Sequence, residues 1–383
     1  MTPSHAASRA TPAADRIVSM DVLRGFALFG IFVVNLPYLA MLAGRASDPT
    51  GEAGLDLAAW ALVSALCQTK FFALFSTLFG MGLVLQMQRA EASGRPFKAM
   101  YLRRLALLSA IGLAHGIFLF MGDILFVYSL AGFVLFLGRK WSPRTYLVLA
   151  AVFAGFGTLL YALVLGPDDG SMDMVEWQLE AYGEGGLLNT LGFNVVMFAG
   201  WLALSTIISF NWRVMSYFFI GAALMKLGFL APEKRHLHRR FFTWGFALGL
   251  PLEAIAVYVK YANGFEEQHL DMLLNEVGST CLAAGYLGGA VLFVASGRAT
   301  WLVHGMASAG RMALTNYIAQ SVIACLVFRW YGLDLFNEAS RAQLFAFAVV
   351  LWSAQLPLSA LWLSRFRMGP LEAAWRKLTY LGT

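Results

Sequence analysis

The chain has 383 residues, of which 59% are hydrophobic, 14% aromatic and only 13% charged, with a mean hydropathy of +0.65. Soluble domains carry roughly 25% charged residues, so this composition excludes a water-soluble globular protein. The net charge of +6 is modest, resides in short loops between apolar runs, and is not the footprint of a nucleic-acid binder.

Residues 1–15 are rich in Ala, Ser, Thr and Pro and are predicted to be a disordered cytosolic tail. Residues 16–383 are predicted to form a single transmembrane domain. A cleaved signal peptide is not expected, because the first apolar segment opens with Asp21 and Arg24 and lacks a clear small-residue cleavage site. Apolar runs of spanning length follow at 22–41, 71–87, 105–120, 124–137, 146–165, 188–208, 214–230, 241–259, 273–295, 306–328 and 344–363. The two near 105–137 are short, are joined by a tight Met-Gly-Asp turn, and read as a helical hairpin.

Charge orients these segments. Arg89, Arg95, Lys98, Arg103 and Arg104 form one basic loop, Arg139, Lys140 and Arg144 a second, and Lys234, Arg235, Arg239 and Arg240 a third. Arg365, Arg367, Arg376 and Lys377 make a basic tail. The loop carrying Asp168, Asp169, Asp173, Glu176, Glu180 and Glu184 has no Lys or Arg, and the loop with Glu266, Glu267, Asp271 and Glu276 is also acidic. Basic loops stay in the cytoplasm, which places both termini there. An odd number of crossings must then lie between the acidic loop before residue 187 and the basic loop after 230. Two apolar segments lie there, so one of them, 188–208, is expected to be interfacial or re-entrant. The predicted fold is all-α: a polytopic transmembrane helical bundle of about ten spans plus one partial helix. The alternative is a misassigned loop.

Several polar groups interrupt the apolar helices. Asp21 and Arg24 are three residues apart on one helix face, and Asn35 follows Arg24 by eleven residues, about three turns, on nearly the same face. Polar side chains are costly in lipid, so this face should look into protein or a water-filled cavity. The alternative is a structural ion pair plus a helix–helix hydrogen bond. His115 lies mid-helix, eleven residues or about 16 Å beyond Arg104, and Asp123 sits at that helix's far end. His115 and Asp123 would make an acid–base pair; alternatively His115 bonds a neighbouring helix and Asp123 caps the next one. Arg311 enters from the cytoplasmic end, where it and Arg104 would bind an anion such as phosphate; the alternative for Arg311 is an interfacial arginine that snorkels. Asn316 and Gln320, four residues apart, share a face with a ligand role or a role as interhelical glue.

Cys67, Cys281 and Cys325 are scattered apolar fillers, and no metal site is expected. His236 and His238 sit in a basic loop explained by topology or lipid headgroups. The GxxxG spacings Gly112/Gly116, Gly245/Gly249 and Gly285/Gly289 permit close packing within the bundle, with homo-oligomerisation as the lesser alternative. No HExxH, Walker loop, GxSxG or Rossmann fingerprint occurs.

The opening MDVLRGFALFGIFVVN resembles the first motif of the YeiB-like bacterial membrane proteins, a family of undefined function. The likeness continues through KFFALFSTLFGMGL at 70–83, RRLALLSAIGLAHGIFLFMGDILFVYSLAG at 103–132, GRMALTNYIAQS at 310–321 and MGPLEAAWRKLTYLG at 368–382. That family is distantly related to the acyltransferase-3 group and to the heparan-α-glucosaminide N-acetyltransferases. The resemblance implies a bacterial inner-membrane protein that moves an acyl group from cytosolic acetyl-CoA or another acyl-CoA to a small-molecule, lipid or saccharide acceptor. Those N-acetyltransferases use a histidine near the start of their second span. The matching stretch here, Gln68-Thr69-Lys70-Phe71-Phe72, has none. Either His115 and Asp123 carry the chemistry, or it is absent. The rival readings are a transporter or lipid-handling protein using the buried polar line as a pathway, and a non-catalytic membrane factor.

Overall fold

The computed structural model describes residues 17–94, 97–164, 172–208, 210–266 and 268–380. The predicted tail at 1–15 lies outside them, as do Arg95, Asp168, Asp169 and Glu267 of the charged loops.

Lipid offers no hydrogen-bond partner to an open backbone, so an apolar chain crosses a membrane as helix. The described residues are accordingly helical, with no strand. The helices in chain order are α1 (Val18–Ala40), α2 (Ala43–Ser47), α3 (Gly54–Leu66), α4 (Lys70–Ala92), α5 (Phe97–Phe118) and α6 (Leu125–Leu137). They continue with α7 (Pro143–Val164), α8 (Met172–Leu179), a π-helical turn at Glu180–Glu184, α9 (Gly186–Ile208), α10 (Phe210–Lys226) and α11 (Arg235–Ala262). The chain closes with α12 (His269–Ala295), α13 (Thr300–Arg311), α14 (Ala313–Phe328), α15 (Arg341–Arg365) and α16 (Pro370–Thr379).

By length and composition, seven of these segments qualify as membrane spans, with α3 and α4 taken together as Gly54–Ala92. An eighth is reached if α13 and α14 count as one. The protein is therefore an all-α membrane bundle. Its lipid-facing surface is written in exposed side chains such as Val148, Val152, Leu159, Leu248, Val350 and Leu358.

Two sequence expectations change. The run at 306–328 is not one straight span: α13 and α14 meet at Met312 with a bend of 83°. Met312 has non-helical dihedrals (φ −110°, ψ 32°), and the Ala309 carbonyl at the break accepts from both Met312 N and Asn316 Nδ2. An amide side chain thus satisfies backbone freed by the break, as a kink in lipid requires. The hairpin at 105–137 is asymmetric: α5 has 22 residues but α6 only 13, about 20 Å of helix, and the turn between them is buried at Phe120, Met121 and Asp123.

The basic segments gather at one end. Trp375 Nε1 donates to Arg104 O and Arg103 Nη1 to Thr379 O, tying amphipathic α16 to the start of α5. Lys226 Nζ donates to Arg139 O and Trp141 O. At the opposite end, Arg341 pairs with Glu52 and donates to Arg45 O and Ala46 O, while Trp330 N donates to Tyr182 O. Helix α9, expected from the sequence to be interfacial or re-entrant, is itself long and apolar enough to cross a membrane over Gly186–Ser205, and it has neighbours toward this far end. Asn194 Nδ2 donates to Ile117 O, and the Phe198 and Trp201 rings meet Phe126 and Phe210. These neighbours are the α5, α6 and α10 termini remote from the basic loops.

Close approaches fall where Cβ atoms are missing. Gly245 of α11 lies against the backbone of Gly285 and Cys281 in α12, and Gly25 of α1 against Met306 O of α13. The GxxxG spacings therefore pack helices within this chain.

Candidate functional site

The turn between α5 and α6 positions the central group. His115 is on the last full turn of α5, and its Nδ1 lies 2.8 Å from Asp123 Oδ1. The second carboxylate oxygen, Oδ2, accepts from Phe126 N at 2.8 Å. Asp123 thus does both things proposed for it: it caps the start of α6 and it holds the imidazole. Gly112, one turn before His115, makes room for this; a Cβ there would lie 2.9 Å from Asp123 Oδ2 and closer still to Phe126 N.

The other ring nitrogen of the imidazole meets a residue that the sequence analysis did not name as a site residue. His115 Nε2 is 2.8 Å from Ser321 Oγ, on α14. Asp123, His115 and Ser321 come from three separate elements and are 0%, 2% and 4% exposed. Both Asp123 oxygens accept hydrogen bonds, so the carboxylate is the acceptor and His115 Nδ1–H the donor. A neutral imidazole in that tautomer presents its Nε2 lone pair to Ser321 Oγ–H. Only the end of the GRMALTNYIAQS motif hinted at Ser321, because a hydroxyl in an apolar helix is common and its partner lies 206 positions away.

A cavity of about 350 Å³ leads toward this group from the basic end. Arg24, Arg89, Arg104, Arg311 and Arg367 line it, against the carboxylates of Asp21 and Glu372. Its inner wall includes Ile124 and Tyr317. The Tyr317 ring is 4.9 Å from the His115 ring, so one aromatic side chain separates the cavity from the imidazole. Asp21 and Arg24 pair at 3.1 Å. Arg104 lies over the Trp375 ring at 4.0 Å, and Arg311 Nη2 donates to Arg367 O. Glu372 accepts from Thr315 N and Thr315 Oγ1, placing a carboxylate at the start of α14. Five guanidiniums around one opening suit phosphate, which they bind through paired donors.

The remaining predicted residues lie elsewhere. Asn35 is half-buried and is not in the cavity wall. Asn316 Nδ2 donates to Ala309 O and Ser359 Oγ, Gln320 Nε2 to Gln355 Oε1, and Gln355 Nε2 back to Asn316 O. These amides join α14 to α15 and do not line the cavity. His238 is buried, and its Nε2 donates to Phe229 O at 2.5 Å.

A second buried polar centre lies near the acidic end. Lys70 Nζ and Glu253 Oε2 are 2.6 Å apart, both side chains fully buried. Lys70 also donates to Ser64 O, and Glu253 accepts from Asn275 Nδ2 and Ser279 Oγ. Thr69 beside it has φ 67°, a left-handed conformation that β-branched residues avoid. A second cavity of about 350 Å³ opens over Thr69 and Asn275, with Trp60, Trp201, Arg213 and Glu276 in its wall. The sequence reading missed this centre because Lys70 and Glu253 are 183 positions apart.

Comparison with known proteins agrees with the family resemblance. Residues 224–382 match the family described as "Protein of unknown function (DUF418)". The chain is 32% identical to the uncharacterized protein YxaH of Bacillus subtilis (strain 168), over 96% of this chain and 95% of the relative. It is 30% identical to the uncharacterized protein YeiB of Escherichia coli (strain K12), over 95% and 96% respectively. An uncharacterized 39.9 kDa protein in the amylase 3' region of Bacillus acidopullulyticus is 28% identical over 96% of this chain and 94% of its own length.

Proposed function

Since the chain belongs to the YeiB-like family of uncharacterized membrane proteins, we propose that it is a membrane acyltransferase using cytosolic acetyl-CoA or another acyl-CoA. The acceptor would be a hydroxyl or amine on a small molecule, lipid or saccharide at or across the bacterial inner membrane. Both termini would be cytoplasmic, with about ten crossings and α9 lying in the far interface.

The observation that carries the reading is the buried Asp123–His115–Ser321 line behind an arginine-rimmed cavity. The CoA phosphates would sit among the arginines, and the pantetheine arm would run inward past Leu105 and Leu108 to Tyr317. His115, its tautomer set by Asp123, would accept a proton from the attacking group. General-base catalysis of this kind contributes about 10²–10⁴-fold. The apolar surroundings would exclude water from the thioester.

The test is binding of acetyl-CoA and octanoyl-CoA to purified, detergent-solubilised protein, comparing wild type with Arg311→Ala and His115→Ala. Saturable binding that Arg311→Ala weakens by roughly tenfold and His115→Ala keeps is the expected result. No binding across both thioesters overturns the reading.

One observation favours a second reading. A fully buried Lys–Glu pair beside a polar cavity is the kind of intramembrane charge found in proton-coupled transporters. Proton uptake into proteoliposomes after an external acid pulse, lost in Glu253→Gln, would favour transport; silent vesicles would discard it.

A further inference from the structure

We infer that Ser321 is a covalent carrier of the acyl group, so that the protein works by double displacement instead of direct transfer. The inference rests on the acyl-transfer reading and adds to it a nucleophile and an intermediate.

Three observations carry it. Ser321 Oγ lies 2.8 Å from His115 Nε2, the nitrogen that carries the lone pair when Nδ1–H is given to Asp123. This is the order that activates a serine: hydroxyl, imidazole, carboxylate, each within hydrogen-bond reach of the next. The hydroxyl is also withdrawn from solvent, 4% exposed, where an ordinary helical serine would face its own backbone. Finally, Tyr317 lines the cavity next to His115, and its buried hydroxyl, which has the backbone N–H of Ile124 beside its oxygen, has no acceptor for its own proton among the described residues. A buried unpaired donor is costly. A thioester carbonyl developing negative charge would supply the missing acceptor.

The chemistry balances in two steps. Ser321 Oγ attacks the thioester carbonyl carbon while His115 Nε2 takes the hydroxyl proton. The tetrahedral oxyanion, facing Tyr317 O–H, collapses. The C–S bond breaks, and His115 returns the proton to sulfur. Free CoA thiol leaves, and the acyl group remains as an ester on Ser321. In the second step His115 deprotonates the acceptor hydroxyl or amine, which attacks that ester. Ser321 leaves as alkoxide and recovers its proton from His115. Asp123 stays ionised throughout.

The intermediate has a signature that needs no knowledge of the acceptor. Purified full-length protein in nanodiscs is incubated with acetyl-CoA and radiolabelled CoA, and label appearing in acetyl-CoA is followed. In parallel, the peptide containing Ser321 is examined by mass spectrometry for one added acetyl group. Expected for wild type are isotope exchange and acetyl-Ser321. Ser321→Ala should lose both, by about 10³-fold or more in rate. Ser321→Cys should trap a thioester on the same peptide, which keeps the test decisive if the alanine variant is unstable. If wild type binds acetyl-CoA yet shows neither exchange nor acetyl-peptide, transfer is direct and Ser321 merely orients His115; the acyl-transfer reading then survives and this inference falls. Exchange that persists undiminished in Ser321→Ala also overturns it. Absence of both exchange and acetyl-CoA binding removes the two together.

Discussion

Asp123 holds His115 and starts α6 with the same carboxylate, one oxygen 2.8 Å from His115 Nδ1 and the other 2.8 Å from Phe126 N. Asp123→Asn separates the two roles. The amide oxygen would still accept from Phe126 N, but the NH2 group would face Nδ1 and force the proton onto Nε2. His115 would then have no lone pair for Ser321. The expected outcome is folded protein, with a thermal midpoint within a few degrees of wild type and acyl turnover reduced by about 10⁴-fold. Near wild-type turnover would remove Asp123 from the mechanism.

Gly112→Val tests the packing that brings α6 to α5. Even a Cβ would lie 2.9 Å from Asp123 Oδ2 and 2.3 Å from Phe126 N. Overpacking of this kind costs about 1–3 kcal/mol, visible as a lower unfolding midpoint in detergent and loss of turnover together. Gly155, with open space at its Cβ position, is the control: Gly155→Ala should leave both unchanged.

Arg104→Ala and Arg311→Ala should each weaken acyl-CoA binding by roughly tenfold, as expected for one charge-assisted phosphate contact worth about 1.5–3 kcal/mol before compensation by neighbours. The loss should shrink for dephospho-CoA thioesters, which carry fewer charges, and isothermal titration would read both. Equal binding by wild type and both variants would mean the arginines do not touch the nucleotide.

Lys70→Met leaves Glu253 buried without its cation. Breaking one side of a fully buried pair costs about 3–5 kcal/mol. The double variant Lys70→Met/Glu253→Leu should recover most of that stability, because both desolvation costs vanish together. If the double variant is less stable than Lys70→Met alone, Glu253 is held mainly by Asn275 and Ser279.

The sequence announced the membrane bundle because burial in lipid needs only a long apolar run, and each run is local. His115 and Asp123 were legible for the same reason: an ionisable group inside such a run stands out against its neighbours. Arg104 and Arg311 were legible as basic residues at span ends, though only the folded chain put them on one cavity with Arg24, Arg89 and Arg367. Asn316 and Gln320 looked equally fit for a ligand or for a neighbouring helix. The structure gives their amides to Ser359, Ala309 and Gln355. The bend at Met312 was hidden because hydropathy averages over a window and does not register a single non-helical residue.

Local chemistry along the chain was thus enough to determine an all-α membrane protein, the basic character of one end and the presence of buried ionisable groups. Which of those groups meet was decided only by tertiary packing. Ser321 reaches His115 across 206 positions and Glu253 reaches Lys70 across 183. A partner's distance along the chain carries no local signal. In a bundle the face each helix turns inward is chosen by packing against its neighbours, at glycines such as Gly112 and Gly25 where backbones can touch.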